Sequence, residues 1–249
     1  MGKKSAKGKE RKQQRKLENG KFIGERQGIT NILRHASEVL DLLKDYPAFQ
    51  QYSRNGLDLC LEYYWADSLP QDVQDWAFAL CKTNMEDIYN TAWGWKDDTK
   101  REELAASEAR FLVAYDQVSC GERRPMAYVH FRWEDEDGVP ILYCYEIQLE
   151  AAAQRKGLGR FLMKFLELIG RKAGVHEVML TLMKANTAAA AMYAKLGYVE
   201  HEDQPPEEEE GKGPPGYTIL TRRLVAAAPA QRALRPVTNS IQLENIIFG

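Results

Sequence analysis

Apolar residues recur along this chain with two periods, and the predicted elements change where the period changes. Ile29, Ile32, Leu33, Val39, Leu40, Leu42 and Leu43 follow a roughly helical spacing until Pro47, which predicts a helix packed on a folded body. A second helix is predicted from Pro70 to Tyr89, with Val73, Trp76, Ala77, Leu80, Met85 and Ile88 on its buried stripe. Trp93-Gly94-Trp95 interrupts the pattern, and the charged stretch from Lys96 to Arg110 suggests a third, solvated helix or loop. Residues 25–109 are therefore expected to form a helical segment packed on the core.

From Arg110 the period shifts towards two. Phe111–Tyr115, Pro125–Trp133 and Leu142–Leu149 are predicted strands, with turn signals at Cys120-Gly121 and Asp137-Gly138. Leu158, Phe161, Leu162, Phe165, Leu166 and Ile169 then keep the i, i+3, i+4, i+7 spacing of an amphipathic helix, ended by Gly170 or Gly174. Val178–Leu182 is expected as a buried strand, Thr187–Leu196 as a short Ala-rich helix, Tyr198–Glu200 as a strand start and Tyr217–Thr221 as the closing strand. An acidic, Pro/Gly-rich insertion from Glu202 to Gly216 divides the last two, and residues 225–249 are expected to be a tail.

With 249 residues, 44% of them hydrophobic and 28% charged, the chain suits one folded domain with tails, here a core over 110–224. Cys60, Cys81, Cys120 and Cys144 show no CxxC spacing and no apolar N-terminal region precedes them, so a reduced, intracellular protein without a zinc site is expected. No run approaches the roughly 20 apolar residues that span a bilayer, so no membrane span is expected. The net charge of -2 hides an asymmetry: Lys3, Lys4, Lys7, Lys9, Arg11, Lys12, Arg15 and Lys16 face the single acid Glu10 in the first sixteen residues. Residues 1–24 are expected as a basic disordered tail, either simply solvated or serving as a nuclear address or a nonspecific contact with nucleic acid, chromatin or ribosomes. The Met1-Gly2 start of a myristoylation signal is not matched at Ala6, where that signal needs Ser or Thr.

The order strand, Gln154-Arg155-Lys156-Gly157-Leu158-Gly159, amphipathic helix places free backbone N–H groups and a positive helix end at one spot, a phosphate-binding geometry. A Walker loop would need GKS or GKT and a dinucleotide fingerprint GxGxxG with a later ribose-binding acid, whereas the order at this turn is Q-x-x-G-x-G. Downstream, Asn186, Tyr193 and Lys195-Leu196-Gly197-Tyr198 complete an N-x6-Y-x-K-L-G-[FY] arrangement. With these motifs, residues 110–222 resemble a GNAT acetyltransferase. The resemblance implies an α/β (α+β) fold, a mixed central sheet flanked by helices, here with an added N-terminal helical segment. It also implies acetyl-CoA as co-substrate and no metal. The backbone of Ile147, Gln148 and Leu149 would pair with the pantetheine, the turn Arg155, Lys156, Gly157, Leu158, Gly159 and Arg160 would hold the pyrophosphate, and Asn186 and Tyr193 would lie near the thioester.

A narrower set is similar to the N-alpha-acetyltransferase D family: Lys82-Thr83-Asn84-Met85, Tyr89, Trp93-Gly94-Trp95-Lys96-Asp97, Leu142-Tyr143-Cys144-Tyr145-Glu146, Arg155–Gly159 and Tyr217. That resemblance implies acetylation of the N-terminal amine of histones beginning Ser-Gly-Arg-Gly (H-four and H-two-A types), without an auxiliary subunit, in nucleus and cytoplasm. The acidic insertion and the C-terminal tail depart from the family pattern.

An α-amine has a pKa of about 7.7–8.0, so it needs only a modest base. Glu146, acting through a water, is the candidate, against the alternative of a carboxylate on a polar strand face. Strict alternation puts Tyr143, Tyr145 and Ile147 on one face and Cys144, Glu146 and Gln148 on the other; the family resemblance implies a bulge that brings Tyr145 and Glu146 together. By the same resemblance Tyr89 and Tyr145 hold the first residues, Trp93 lines the pocket and Thr181 contacts the peptide backbone. Tyr143 and Tyr217 complete a concentration of phenols that suits a small N-terminal residue, or simply a core. Glu134 and Glu136 are candidates for pairing with the substrate arginine, or a solvated hairpin. Tyr193 or another tyrosine of the cluster is the candidate acid for the leaving thiolate, with a core contact as its alternative. A lysine, another protein N-terminus or a small amine as acceptor, and a non-catalytic chromatin- or RNA-binding module, remain alternatives.

Overall fold

The structure, a computed structural model, describes residues 6–117, 123–205 and 216–224, and for residues 6–19 and 22 it describes the backbone alone. Among the described residues eight strands form one sheet in the order β1-β2-β3-β4-β5-β6-β8-β7. They are β1 (Gln51–Arg54), β2 (Leu57–Trp65), β3 (Arg110–Gln117), β4 (Arg123–Glu136), β5 (Val139–Leu149), β6 (Glu177–Met183), β7 (Val199–Glu200) and β8 (Tyr217–Arg223). Five α-helices accompany them among the described residues: α1 (Ala6–Ser37), α2 (Gln71–Tyr89), α3 (Asp97–Ala105), α4 (Leu158–Ala173) and α5 (Thr187–Leu196). This is the expected mixed sheet flanked by helices.

Period-2 alternation builds the two larger cores, and Ile141, Tyr143, Met179 and Ile219 form a third, smaller one. Leu112 and Ala114 of β3 join Ala127, Val129 and Phe131 of β4 under α4 and the end of α1, whereas Phe111, Val113 and Tyr115 point the other way, to α2 and α3. On α4, Leu158, Leu162, Phe165 and Leu166 are wholly buried, each stabilising the fold by about 1.5–3 kcal/mol. Gly174, with φ 83°, ends α4 by adopting the left-handed conformation that side chains resist.

Two regions differ from the sequence expectation. Residues 25–109 are not purely helical: β1 and β2 form a hairpin, with Asn55 (φ 53°) and Gly56 (φ 74°) turning it, and β2 pairs antiparallel with β3 from Leu59↔Asp116 to Trp65↔Arg110. The basic segment expected to be disordered is helical from Ala6 onward, as its long run of Lys, Arg, Gln and Glu without proline favours. That helix ends at Ser37, so Leu42 and Leu43 pack from a turn rather than from its face. The turn expected at Cys120-Gly121, most of the acidic insertion and the C-terminal tail lie outside the described residues. No described helix is long and apolar enough to cross a membrane.

The departure that positions the site is in the middle of the sheet. β5 and β6 are the parallel pair, and they are in register only from Ile141↔Glu177 to Cys144↔Leu180. Beyond that point β5 runs on to Leu149 and β6 to Met183 without pairing to each other, so the sheet splays open between them.

Candidate active site

At the start of the splay β5 carries a bulge. Cys144 is paired with Phe131 and Glu146 with His130, which leaves Tyr145 as the extra residue. Cys144 faces the α4 core, while Tyr145 stacks on the His130 ring at 4.9 Å and Glu146 reaches α2 and α3. Tyr145 and Glu146 are thus consecutive residues on one face, which strict alternation forbids.

The splay opens into a cavity of about 1050 Å³, counting the part open to solvent, walled by Tyr89, Trp93, Tyr143, Tyr145, Glu146 and Tyr193 among others. The Glu146 side chain is buried. Its Oε1 accepts from Tyr89 Oη (2.8 Å) and Lys100 Nζ (2.8 Å), and its Oε2 from Gln148 Nε2 (2.7 Å). Burial pushes the Glu146 carboxyl up, but the Lys100 ammonium and the three donors prevail and hold it below the usual carboxylate range. Burial drives the Tyr89, Tyr145 and Tyr193 phenols upward, so all three are neutral donors at physiological pH.

The aromatic walls are mutually packed. Tyr89 stacks on Trp95 (5.6 Å) and leans on Trp93 (5.5 Å), whose indole meets Tyr217 edge-on at 4.9 Å. The Tyr143 and Thr181 hydroxyls are hydrogen-bonded at 2.6 Å. Tyr145 Oη donates to Glu134 Oε1 at 2.6 Å, linking the cavity to an acidic pair. Burial raises both carboxyls, Glu134 against the opposing pull of Tyr145 and Arg132, and Glu136 to about 8, reinforced by Asp137 and Glu134.

At the far end of the splay, the turn into α4 is shaped for an anion. Arg155 (φ 60°) and Gly157 (φ 87°) take left-handed conformations, and Gly157 begins α4 without any side-chain cap, leaving the first-turn N–H groups unsatisfied. Tyr52 Oη (2.6 Å) and Asn55 Nδ2 (2.8 Å) both donate to the Lys156 carbonyl. Because the peptide is planar and trans, this fixes the Gly157 N–H on the opposite side, away from the hairpin. Asn186 caps α5 by accepting from Ala189 N at 3.1 Å, and its side chain lines the cavity.

A sequence model of the acetyltransferase (GNAT) family matches residues 72–198, half of the chain. The chain belongs to that family. An L-methionine sulfoximine/L-methionine sulfone acetyltransferase of Salmonella typhimurium is 30% identical over 115 residues, 45% of this chain and 67% of that protein. Among solved structures, Arabidopsis thaliana Naa50 in complex with a bisubstrate analogue is 16% identical over 65% of this chain and 97% of its own, with a TM-score of 0.46. The ribosomal-protein-S18-alanine N-acetyltransferase of Escherichia coli is 18% identical over 70% of this chain and 99% of its own, with a TM-score of 0.45.

A GNAT acetyltransferase takes its acetyl group from acetyl-CoA, and the residues present fit that molecule. The uncapped α4 terminus suits a pyrophosphate, the glycine at 157 takes the left-handed turn and lets Tyr52 approach closely, and the β6-facing edge of β5 beyond Cys144 offers backbone to an amide-bearing arm. The Leu149 carbonyl is already engaged by Asn84 Nδ2 (3.2 Å) and Gln154 Nε2 (3.0 Å), so Ile147 and Gln148 carry the freer part of that edge. No group of His, Cys, Asp and Glu suited to a metal ion occurs among the described residues.

Of the residues singled out from the sequence, Tyr89, Trp93, Tyr143, Tyr145, Glu146, Ile147, Gln148, Thr181, Asn186 and Tyr193 line one cavity. Glu134 and Tyr217 reach its walls through Tyr145 and Trp93, whereas Glu136, Leu149 and the turn from Arg155 to Arg160 lie off it. Lys100 and Glu103 were missed. The stretch expected to be a solvated helix or loop is the helix α3, which buries Lys100 and Leu104 and seats the Glu103 side chain against the site. A run of mixed charges carries no mark of which member will be desolvated.

Proposed function

We propose that this chain transfers acetyl from acetyl-CoA to the N-terminal amine of proteins, with histones beginning Ser-Gly-Arg-Gly (H-four and H-two-A types) as substrates. It would work without an auxiliary subunit, in nucleus and cytoplasm. The observation that carries the reading is the bulge at Tyr145, which sets a buried carboxylate beside a wall of phenols in the splay of the sheet.

Bound acetyl-CoA supplies an activated thioester carbonyl. The backbone of Ile147, Gln148 and Leu149 would hold its pantetheine arm, the amides from Arg155 to Arg160 its pyrophosphate, and Asn186 would sit near the thioester. Tyr89, Trp93, Tyr143, Tyr145 and Tyr217 would enclose a small first residue, with Thr181 on the peptide backbone. Glu134 and Glu136 would meet the arginine at the third position. Glu146 takes the amine proton, directly or through a water, and Tyr193 or Tyr145 returns one to the thiolate. The polybasic start of the chain supports the nuclear part of the reading.

Purified protein should acetylate Ser-Gly-Arg-Gly peptides with a free N-terminus and leave N-terminally blocked ones unmodified. Equal labelling of the blocked peptide would refute N-terminal acetylation. The 30% identical relative favours a second reading, a free α-amino acid as acceptor. Turnover of methionine sulfone matching that of the peptide would establish it.

A further inference from the structure

Lys100 projects into the interior from α3, on which Leu104 is the only other buried residue, and its ammonium lies between two carboxylates. Its Nζ donates to Glu103 Oε1 at 2.7 Å and to Glu146 Oε1 at 2.8 Å, and it stands 5.2 Å from the centre of the Tyr89 ring. A carboxylate offers two acceptor directions on each oxygen. On Glu146, Lys100 and Tyr89 take both directions of Oε1, and Gln148 takes one of Oε2. Among the described residues the second direction of Oε2 is taken by no other N–H or O–H donor, and the Cys81 thiol, a weak donor, is the remaining group that bonds the Glu146 carboxylate.

We propose that Lys100 is a positioning residue for acyl transfer: with Tyr89 it fills Oε1 of Glu146, leaving Oε2 as the oxygen that receives the proton of the acceptor amine. This rests on the reading of Glu146 as the base. In the step, the amine nitrogen forms its bond to the acetyl carbon, the carbon–sulfur bond breaks with its electron pair leaving on sulfur, and the amine proton passes to Oε2. A phenol reprotonates the thiolate and recovers its proton from Glu146 through solvent.

The charges around the pair support this division of labour. Cys81 and Tyr89 of α2, Tyr128 and His130 of β4, Cys144 of β5 and Tyr193 of α5 are all driven to their neutral forms by burial. That leaves Lys100, Glu103, Glu146 and Arg132 as the charge carriers, with Arg132 Nη2 donating to the Glu103 carbonyl at 2.7 Å. Burial raises Glu103, and Lys100 only partly offsets it, whereas Glu146 is held low. Of the two carboxyls that share one ammonium, Glu146 is therefore the one kept ionised. After the nitrogen–carbon bond forms, the ammonium proton is strongly acidic, so a carboxylate of low pKa suffices to take it.

The test is a pH–rate profile on the full-length enzyme for Lys100→Met, Lys100→Gln and Lys100→Arg. A carboxylate that loses a contacting cation titrates about one to three units higher. The acid limb of kcat should therefore move up by that amount in Lys100→Met, with kcat below the shifted limb falling about tenfold per pH unit and acetyl-CoA KM within about twofold, because below its pKa a carboxylate loses one decade of ionised fraction per pH unit. Lys100→Arg should restore most of the wild-type profile. Independently of turnover, infrared titration of the protonated-carboxyl band in glutamate-labelled protein, assigned by its absence in Glu146→Gln, should show the same shift. An unmoved band and an unmoved acid limb would overturn the proposal, and Lys100→Gln decides it if Lys100→Met does not fold. Wild-type turnover by Glu146→Gln would instead overturn the assignment of the base, while the infrared shift would still report the coupling of Lys100 to Glu146.

Discussion

At the scale of single residues, the site is organised by how burial sorts its ionisable groups. Glu146 is buried with a cation in contact and stays ionised, whereas Glu136 is partly buried among other acids and is pushed up to about 8. A carboxyl at that value is largely protonated at pH 7 and ionises only when a cation arrives or the pH rises. Binding of an arginine-bearing peptide should therefore release protons. KM for Ser-Gly-Arg-Gly peptides should fall as pH rises from about 6.5 to 9, more steeply than for peptides with alanine at the third position, and Glu136→Gln should erase that difference. Parallel KM profiles for the two peptides would remove Glu136 from substrate recognition.

At the scale of elements, the β1–β2 hairpin has a task that its position at the sheet edge conceals. Tyr52 and Asn55 orient the Lys156 carbonyl, and Gly157 lies so close that an added Cβ would stand 2.8 Å from Tyr52 Oη. Gly157→Ala combines that clash with a left-handed φ, together about 1–3 kcal/mol of strain. Calorimetry should show weaker acetyl-CoA binding for it, and Gly157→Trp should abolish binding. Tyr52→Phe keeps the ring against Phe161 but leaves the carbonyl held by Asn55 alone; a several-fold loss of acetyl-CoA affinity with little change in peptide KM is expected. Unaltered affinity in all three would exclude this turn as the anion site.

At the scale of the molecule, the same burial that shapes the site makes stability depend on pH. His130 is wholly buried, stacked between Phe111 (5.1 Å) and Tyr145 (4.9 Å), and burial holds its pKa well below 6.5. The unfolded chain takes up a proton below about 6.5 that the folded chain refuses. Stability is therefore fully present above that value and declines as pH falls, by up to about 1.4 kcal/mol per pH unit from this residue. Denaturant unfolding at pH 7.5 and 5.5 should show a smaller acid loss in His130→Phe than in wild type, and an equal loss would contradict the assignment. Glu146 acts in a separate, lower window: its depressed pKa contributes stability above about 4.5 that is lost as pH falls through the folded value.

How much of this was legible beforehand differs from element to element. The α4 stripe from Leu158 to Ile169, the Thr187–Leu196 helix and the strands around Tyr115, Val129 and Leu142 declare themselves, because each is encoded by its own periodicity. The glycine turn is equally local, since a phosphate site at a helix start needs only consecutive residues. The β1–β2 hairpin carried a local sign in Asn55-Gly56, but β2 becomes a sheet strand only by pairing with β3, some fifty residues on. The bulge at Tyr145 is set by register against His130, and the burial of Lys100 by a partner on β5. The sequence by itself determined the fold family and singled out the candidate donor-binding turn and the candidate base. Strand alternation alone puts Tyr145 and Glu146 on opposite faces, and only the family resemblance implied the bulge that the register against His130 shows. Tertiary structure alone decided that Lys100 closes on one oxygen of Glu146, because strand register and desolvation are properties of pairs of segments.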